Sequence, residues 1–166
     1  LMNITISNNQ ASSGGGMKLI NSSPSLTGMI FSDNTADLGA GIQLDESNPT
    51  LTDVIFNDNT ASVIGGGMLL DGSIPTLINI TIYGNVATNP SGNANGGGIA
   101  LLGSNPIMVN SILWENSPDE VYFFPSPSDP SHMEVSHSDI MGGQPAIRTN
   151  NNGIVTWGDG NIDADP

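Results

Sequence analysis

Apolar and polar residues alternate with a period of two in short bursts along the chain. Met29 and Phe31 bracket Ile30, Val54 and Phe56 bracket Ile55, and Ile80 and Ile82 bracket Thr81. A second burst follows each glycine cluster, with Ile42 and Leu44 around Gln43 and Ile99 and Leu101 around Ala100. Leu26, Leu51, Leu77 and Met108, each two residues after a proline, supply a further inward position. A period of two sends alternate side chains to opposite faces of an extended backbone, so each burst predicts a short strand with one apolar face. Such strands are too short and too one-sided to stand alone, and they must stack.

The bursts recur in register. "ITISNN", "MIFSDN", "VIFNDN", "ITIYGN" and "SILWEN" end at Asn9, Asn34, Asn59, Asn85 and Asn116, spaced 25, 25, 26 and 31 residues apart. Glycine clusters close at Gly16, Gly41, Gly67 and Gly98, and Pro24, Pro49, Pro75 and Pro106 form a third series. Each proline lies 8 residues after its glycine and 10 before the next asparagine, while the stretch from asparagine to glycine runs 7, 7, 8 and 13 residues. Constant spacing on two sides with insertion tolerated on the third describes a coil with one free loop.

Stacked coils of this kind make a parallel β-helix, in which equivalent residues of successive coils lie about 4.8 Å apart. We expect an all-β, right-handed parallel β-helix of about five to six coils, the hand following from the preference of parallel crossovers. It forms a single domain over residues 1–166, regular over 1–116 and irregular over 117–166. The glycines then serve a corner that needs positive φ or close backbone approach. The asparagines form an amide ladder in a turn, and the prolines take a corner where no ladder donor is lost. An α-helical reading would place glycine triplets inside helices, at about 1 kcal/mol per glycine relative to alanine.

Charge narrows the partners. The net charge of -14 rests on 16 acidic residues against Lys18 and Arg148 alone. No basic patch can be assembled for nucleic acid or for an anionic bilayer surface. No apolar run approaches the length of a membrane span, and with no cysteine there is neither a disulfide framework nor a thiolate metal site. The opening "LMNITISNN" reads as the middle of a repeat, so we expect a mature or partial product.

Phe31 to Asn34 and Phe56 to Asn59 follow an F-x-x-N pattern, and Gly66 to Met68 and Gly97 to Ile99 follow G-G-x-[I/L/M] patterns. These paired motifs resemble the repeats of the polymorphic membrane protein family, over roughly residues 1 to 116. Ile6, Ile82 and Leu113 stand where the family has Phe, and the fifth copy lacks its glycine half. The resemblance implies surface display and adhesion, as in autotransporter-like adhesins of bacteria, without a defined chemistry.

Candidate chemistry is sparse. Trp114, Tyr122, Phe123 and Phe124 concentrate aromatic rings where the repeat loosens, and could stack on sugar rings or simply fill an irregular last pair of coils. The widened loop "VATNPSGNAN" (86–95) is a second candidate binding face. Asp33 and Asp58 occupy equivalent positions and could act as paired carboxylates, or as solvated turn acids beside the asparagine ladder. His132 and His137 could meet Glu134 or Asp139, although no defined metal-ligand spacing is present. "GDGNIDADP" partly resembles a calcium loop but has Ala164 at the position of the sharp-turn glycine, which favours a coil turn. Sequons at Asn3, Asn21 and Asn79 are expected by chance in so Asn-rich a chain. The outward column Thr5, Ile30, Ile55, Thr81 and Ile112 is a candidate contact strip.

These features together lead us to expect an extracellular or cell-surface structural or adhesive protein, not an enzyme and without a cofactor. It would be a segment of a larger surface protein or a subunit stacking head to tail into a filament, with itself or host-surface glycans as partners. The alternative is a carbohydrate-binding module, or a polysaccharide lyase or hydrolase, on the same scaffold.

Overall fold

The structure is a computed structural model that describes residues 1–89, 96–126 and 128–166. It is all-β, with short strands paired in parallel throughout and one turn of 3-10 helix at Gln144–Ala146. Among the described residues three sheets build a solenoid of about six coils, and two of them run its length. The glycine-led sheet stacks Met17–Ile20, Ile42–Asp45, Met68–Asp71, Ile99–Leu102, Val121–Phe123 and Ile147–Arg148. The proline-led sheet contains Thr50–Asn57 and Thr76–Tyr83 at its centre, and extends to Ser131–Ser136 and Gly153–Trp157. The asparagine-led sheet is the shortest, with Thr35–Leu38, Thr60–Ile64 and Val86–Ala87. Strands between 117 and 166 thus pair onto the same sheets as those before them.

Alternation decides what lies inside. Phe31, Phe56, Leu26, Leu51, Leu77, Ile82 and Leu113 are fully buried along one continuous axial core. The Phe31 and Phe56 rings stack at 4.9 Å, with an angle of 6° between their planes. The outward column also holds its register, Thr5 beside Ile30, Ile30 beside Ile55, and Thr81 between Ile55 and Ile112.

The asparagines form a continuous ladder. Asn34 Oδ1 accepts from the Asn9 backbone N–H at 3.1 Å and from Asn9 Nδ2 at 3.0 Å. Asn59, Asn85 and Asn116 repeat that double bond to the coil before them at 2.8–3.0 Å. Each Nδ2 from Asn34 onward also donates to a carbonyl of the preceding coil, Ile6, Phe31, Phe56 and Ile82 in turn. Every buried amide is therefore paired, as burial in an apolar setting requires.

A serine ladder runs beside the prolines, which the sequence reading did not single out. Ser47, Ser73, Ser104 and Ser131 each accept, through Oγ, the backbone N–H of the serine one coil earlier at 3.0–3.1 Å. Ser22, Ser47, Ser73 and Ser104 recur two residues before each proline, so the signal was present. The prolines behave as expected: Pro24, Pro49, Pro75 and Pro106 contribute only carbonyls, to Thr50, Thr76, Ile107 and Glu134.

Four left-handed positions turn each of the second, third and fourth coils. In the second coil they are Asn21, Gly28, Asp33 and Gly39, with φ of 47°, 61°, 55° and 59°. Gly39 and its equivalents take the positive φ, two residues before Gly41. Of the two explanations for Gly16, Gly41, Gly67 and Gly98, close approach is therefore the operative one. A Cβ on Gly16 would lie 2.6 Å from the Gly41 carbonyl oxygen and 2.9 Å from the Phe31 ring.

Candidate functional site

The four aromatic candidates do not share a surface. Phe123 is fully buried in the axial core, so it cannot touch a ligand. Trp114 lies on the proline-led sheet beside Tyr83, whose hydroxyl donates to Glu115 at 2.8 Å. Tyr122 and Phe124 flank Phe123 and turn the other way, onto the outside of the glycine-led sheet. There they line a groove of about 570 Å³.

Strand register explains the floor of this groove. The outward column of the glycine-led sheet reads Lys18, Gln43, Leu69, Ala100, Tyr122 and Arg148. The chain's two side-chain cations, distant in sequence, thus end one column with an amide, an apolar middle and a phenol between them. Ile64, Leu69, Ala100 and Tyr122 pack as a cluster, with Leu38 and Leu102 against it. Phe124 and Pro125 add to the wall, and Gln43, Asp71 and Arg148 supply polar edges. The volume and the mix of apolar wall with a few polar groups are those of a ligand pocket.

Arg148 lies with its guanidinium carbon 5.6 Å from the centre of the Tyr122 ring, and its Nη1 is 3.4 Å from Asp119 Oδ2. Burial raises the Tyr122 phenol above its ordinary range, opposed by the Arg148 charge, while Asp119 reinforces the rise. At the other end Lys18 Nζ pairs with Asp45 at 2.9 Å, Gln43 Nε2 donates to Asp45 at 2.7 Å, and Ser13 donates to Gln43 Oε1.

Asp71 borders both the groove and an acidic notch of about 370 Å³, lined also by Asp45, Glu46 and Asp129. Burial, followed by the charges of Asp45, Glu46 and Asp129, raises the Asp71 pKa above the usual carboxylate range, with Lys18 opposing. Gly72 lines the notch at the left-handed corner position that Asn21 and Glu46 hold in earlier coils.

Glu120 was not anticipated. Ile99 pairs with Val121, so Glu120 takes the place that Gly98 holds one coil earlier. The fifth copy's missing glycine is thus a buried acid, 5% exposed, that ends the asparagine ladder. Its Oε1 accepts the Asn116 N–H at 3.1 Å and its Oε2 accepts Asn116 Nδ2 at 2.5 Å. Burial raises its pKa to about 7 against these two bonds, which favour the anion.

The remaining candidates resolve into turn chemistry. Asp33, Asp58 and Glu115 are exposed left-handed corner residues beside the ladder, and Asp58 accepts from Asn57 Nδ2 at 2.9 Å. His132 bonds the Thr156 hydroxyl at 2.8 Å, and His137 holds a corner at φ 51°. Among the described residues no three His, Asp or Glu side chains group so as to hold a metal ion. In the C-terminal segment Asn161 accepts the Ser138 N–H at 2.9 Å and Asp163 accepts the Gly142 N–H at 2.9 Å, which is turn bonding. Sequon residues Asn3, Asn21 and Asn79 are corner residues as well. In the widened loop Val86–Ala87 is a strand and Asn89 borders the groove, while residues 90–95 lie outside the described residues.

Comparison with curated proteins and with solved structures finds no match. A family profile described as "Right handed beta helix region" matches residues 2–111, about two thirds of the chain and most of its regular coils. Parallel sheets, stacked amides and that match over most of the length agree, and the chain belongs to the right-handed β-helix family.

Proposed function

We propose that this chain is a stiff adhesive β-helix of a secreted or cell-surface protein that binds an extended saccharide in the groove of its glycine-led sheet. The observation that carries the reading is Phe124, 41% exposed on the groove wall, beside Leu69, Leu102 and the nearly buried Tyr122, with Gln43, Asp71 and Arg148 at the edges. Sugar rings present apolar faces and hydroxyl rims, which an exposed aromatic wall with polar edges complements. The net charge of -14 repels polyuronates and other polyanions. Asp71 is the one carboxylate among the described groove-lining residues, whereas glycoside hydrolysis uses a facing pair, so the reading is binding without cleavage. The adhesin resemblance of the repeats supports the same role.

Isothermal titration with a panel of neutral and charged oligosaccharides tests this. At least one non-acidic oligosaccharide should bind, and Phe124→Ala should weaken it by about tenfold, the scale of one lost stacking contact. Binding that ignores Phe124→Ala would remove the groove from the account.

A second reading, lateral self-association, is supported by the outward column in which Ile30 is 36% and Ile55 39% exposed. Sedimentation should then detect a concentration-dependent dimer that Ile55→Lys abolishes.

A further inference from the structure

We infer that the outside of the proline-led sheet carries a second saccharide site, in which a sugar ring of a neutral glycan packs on Tyr83 and Trp114 and the chain runs on past Asn57, Ser32 and Ser7. The inference goes beyond the groove, because this face shares none of the groove-lining residues. Strand register builds it. Ser7 pairs with Ser32, Ser32 with Asn57, Asn57 with Tyr83 and Tyr83 with Trp114, each one coil further along. These five alternate with the inward column of Phe31, Phe56, Ile82 and Leu113, and none of the five is buried. A spacing of about 4.8 Å per coil makes a track roughly 19 Å long.

The rings are prepared for a ligand. Tyr83 is 43% exposed, and its hydroxyl is tied to Glu115 at 2.8 Å, which orients the ring before a sugar arrives. Gly84 holds the left-handed corner that Asp33, Asp58 and Glu115 hold in other coils, so the corner next to Tyr83 bears no side chain of its own. The rest of the track selects the occupant. An apolar partner would cover the Asn57 amide and the two serine hydroxyls without satisfying them, which is costly. A polyanion would meet Asp33, Asp58 and Glu115, exposed along the edge of the track. Sugar hydroxyls both donate and accept, and the carbon face of a pyranose suits an aromatic ring, so a neutral glycan meets both demands.

Trp114 supplies the readout. The chain has one other tryptophan, Trp157, and Trp157→Phe leaves Trp114 as the only indole. The whole chain carrying that change is titrated with cellohexaose, xylohexaose and mannohexaose, and with hexagalacturonate as the charged control. At least one neutral hexamer should shift Trp114 emission to shorter wavelength and saturate, and Tyr83→Ala should weaken that binding about tenfold. Hexagalacturonate should give no shift, and Phe124→Ala, in the groove, should leave the shift unchanged. Thermal melts confirm that each variant folds, and Asn57→Ala is the second probe of the track should Tyr83→Ala fail to do so. No shift with any neutral hexamer overturns the inference, even where calorimetry finds binding that Phe124→Ala weakens, which would keep the groove alone. A shift that hexagalacturonate produces equally, or that Phe124→Ala removes while Tyr83→Ala and Asn57→Ala leave it intact, overturns it as well. If no hexamer shifts Trp114 and sedimentation shows a dimer that Tyr83→Ala dissolves, the column belongs to self-association and the inference falls.

Discussion

At the scale of single residues, Glu120 is the position where chemistry and stability meet. Asn34, Asn59, Asn85 and Asn116 each offer a neutral oxygen that takes two N–H bonds, whereas Glu120 takes the same two bonds with a carboxyl whose pKa is raised from 4.5 to about 7. The folded chain therefore binds a proton there that the unfolded chain releases. The protonated form's contribution is complete below about pH 4.5 and is lost as pH rises through about 7, on the order of 3 kcal/mol. Glu120→Gln should remove this component, because an amide oxygen can accept both Asn116 bonds with no charge to bury. Urea midpoints from pH 4 to pH 8 should fall less steeply in the variant than in the parent; parallel curves would show that Glu120 does not titrate as argued. The sequence could not mark this residue, because only 4 residues separate Asn116 from Glu120 where earlier copies have 7 or more, and the glycine that announced the column is gone.

At the scale of elements, the ladder is a chain of equivalent bonds in unequal surroundings. Asn59 is fully buried and bonded to coils on both sides, while Asn9 is exposed and holds one end. Asn59→Ala should cost about 2–4 kcal/mol, since it strands the Asn34 donors and leaves Phe31 O without its partner. Asn9→Ala should cost well under 1 kcal/mol, as surface changes do. Chemical denaturation of the two variants measures the gradient, and equal losses would contradict the role assigned to burial. Gly67→Ala tests the neighbouring column: its Cβ would lie 2.7 Å from the Gly98 carbonyl oxygen, so two backbones must part, at about 2 kcal/mol or more. These columns were legible in the sequence because a fixed spacing repeats the same physical demand at each coil. The groove was not, because Leu38, Gln43, Asp71, Tyr122 and Arg148 meet only through register across several coils, and nothing in the repeat distinguishes them. For the same reason "VYFF" read as one patch, although alternation sends Phe123 inward between two outward neighbours.

The whole molecule is a rod with a strongly negative exterior. Sixteen acids and two cations leave self-repulsion that no ion pair offsets beyond Lys18–Asp45 and Arg148–Asp119 among the described residues. Added monovalent salt shortens the reach of that repulsion, from about 30 Å at 0.01 M to about 8 Å at 0.15 M. The melting temperature should therefore rise with salt over this range, and a flat or falling response in a calorimetric series would mean that the charges are too far apart to matter.

The left-handed corners have a consequence for how such a rod can change. They recur along its edges, and Asn, Asp, Glu, Gly and His all occupy them. Selection for backbone tolerance leaves the outward group open to choice, so these edges act as rails on which acids, amides or imidazoles can be exchanged one at a time. Recognition can be rewritten along them while the stacked interior keeps its shape.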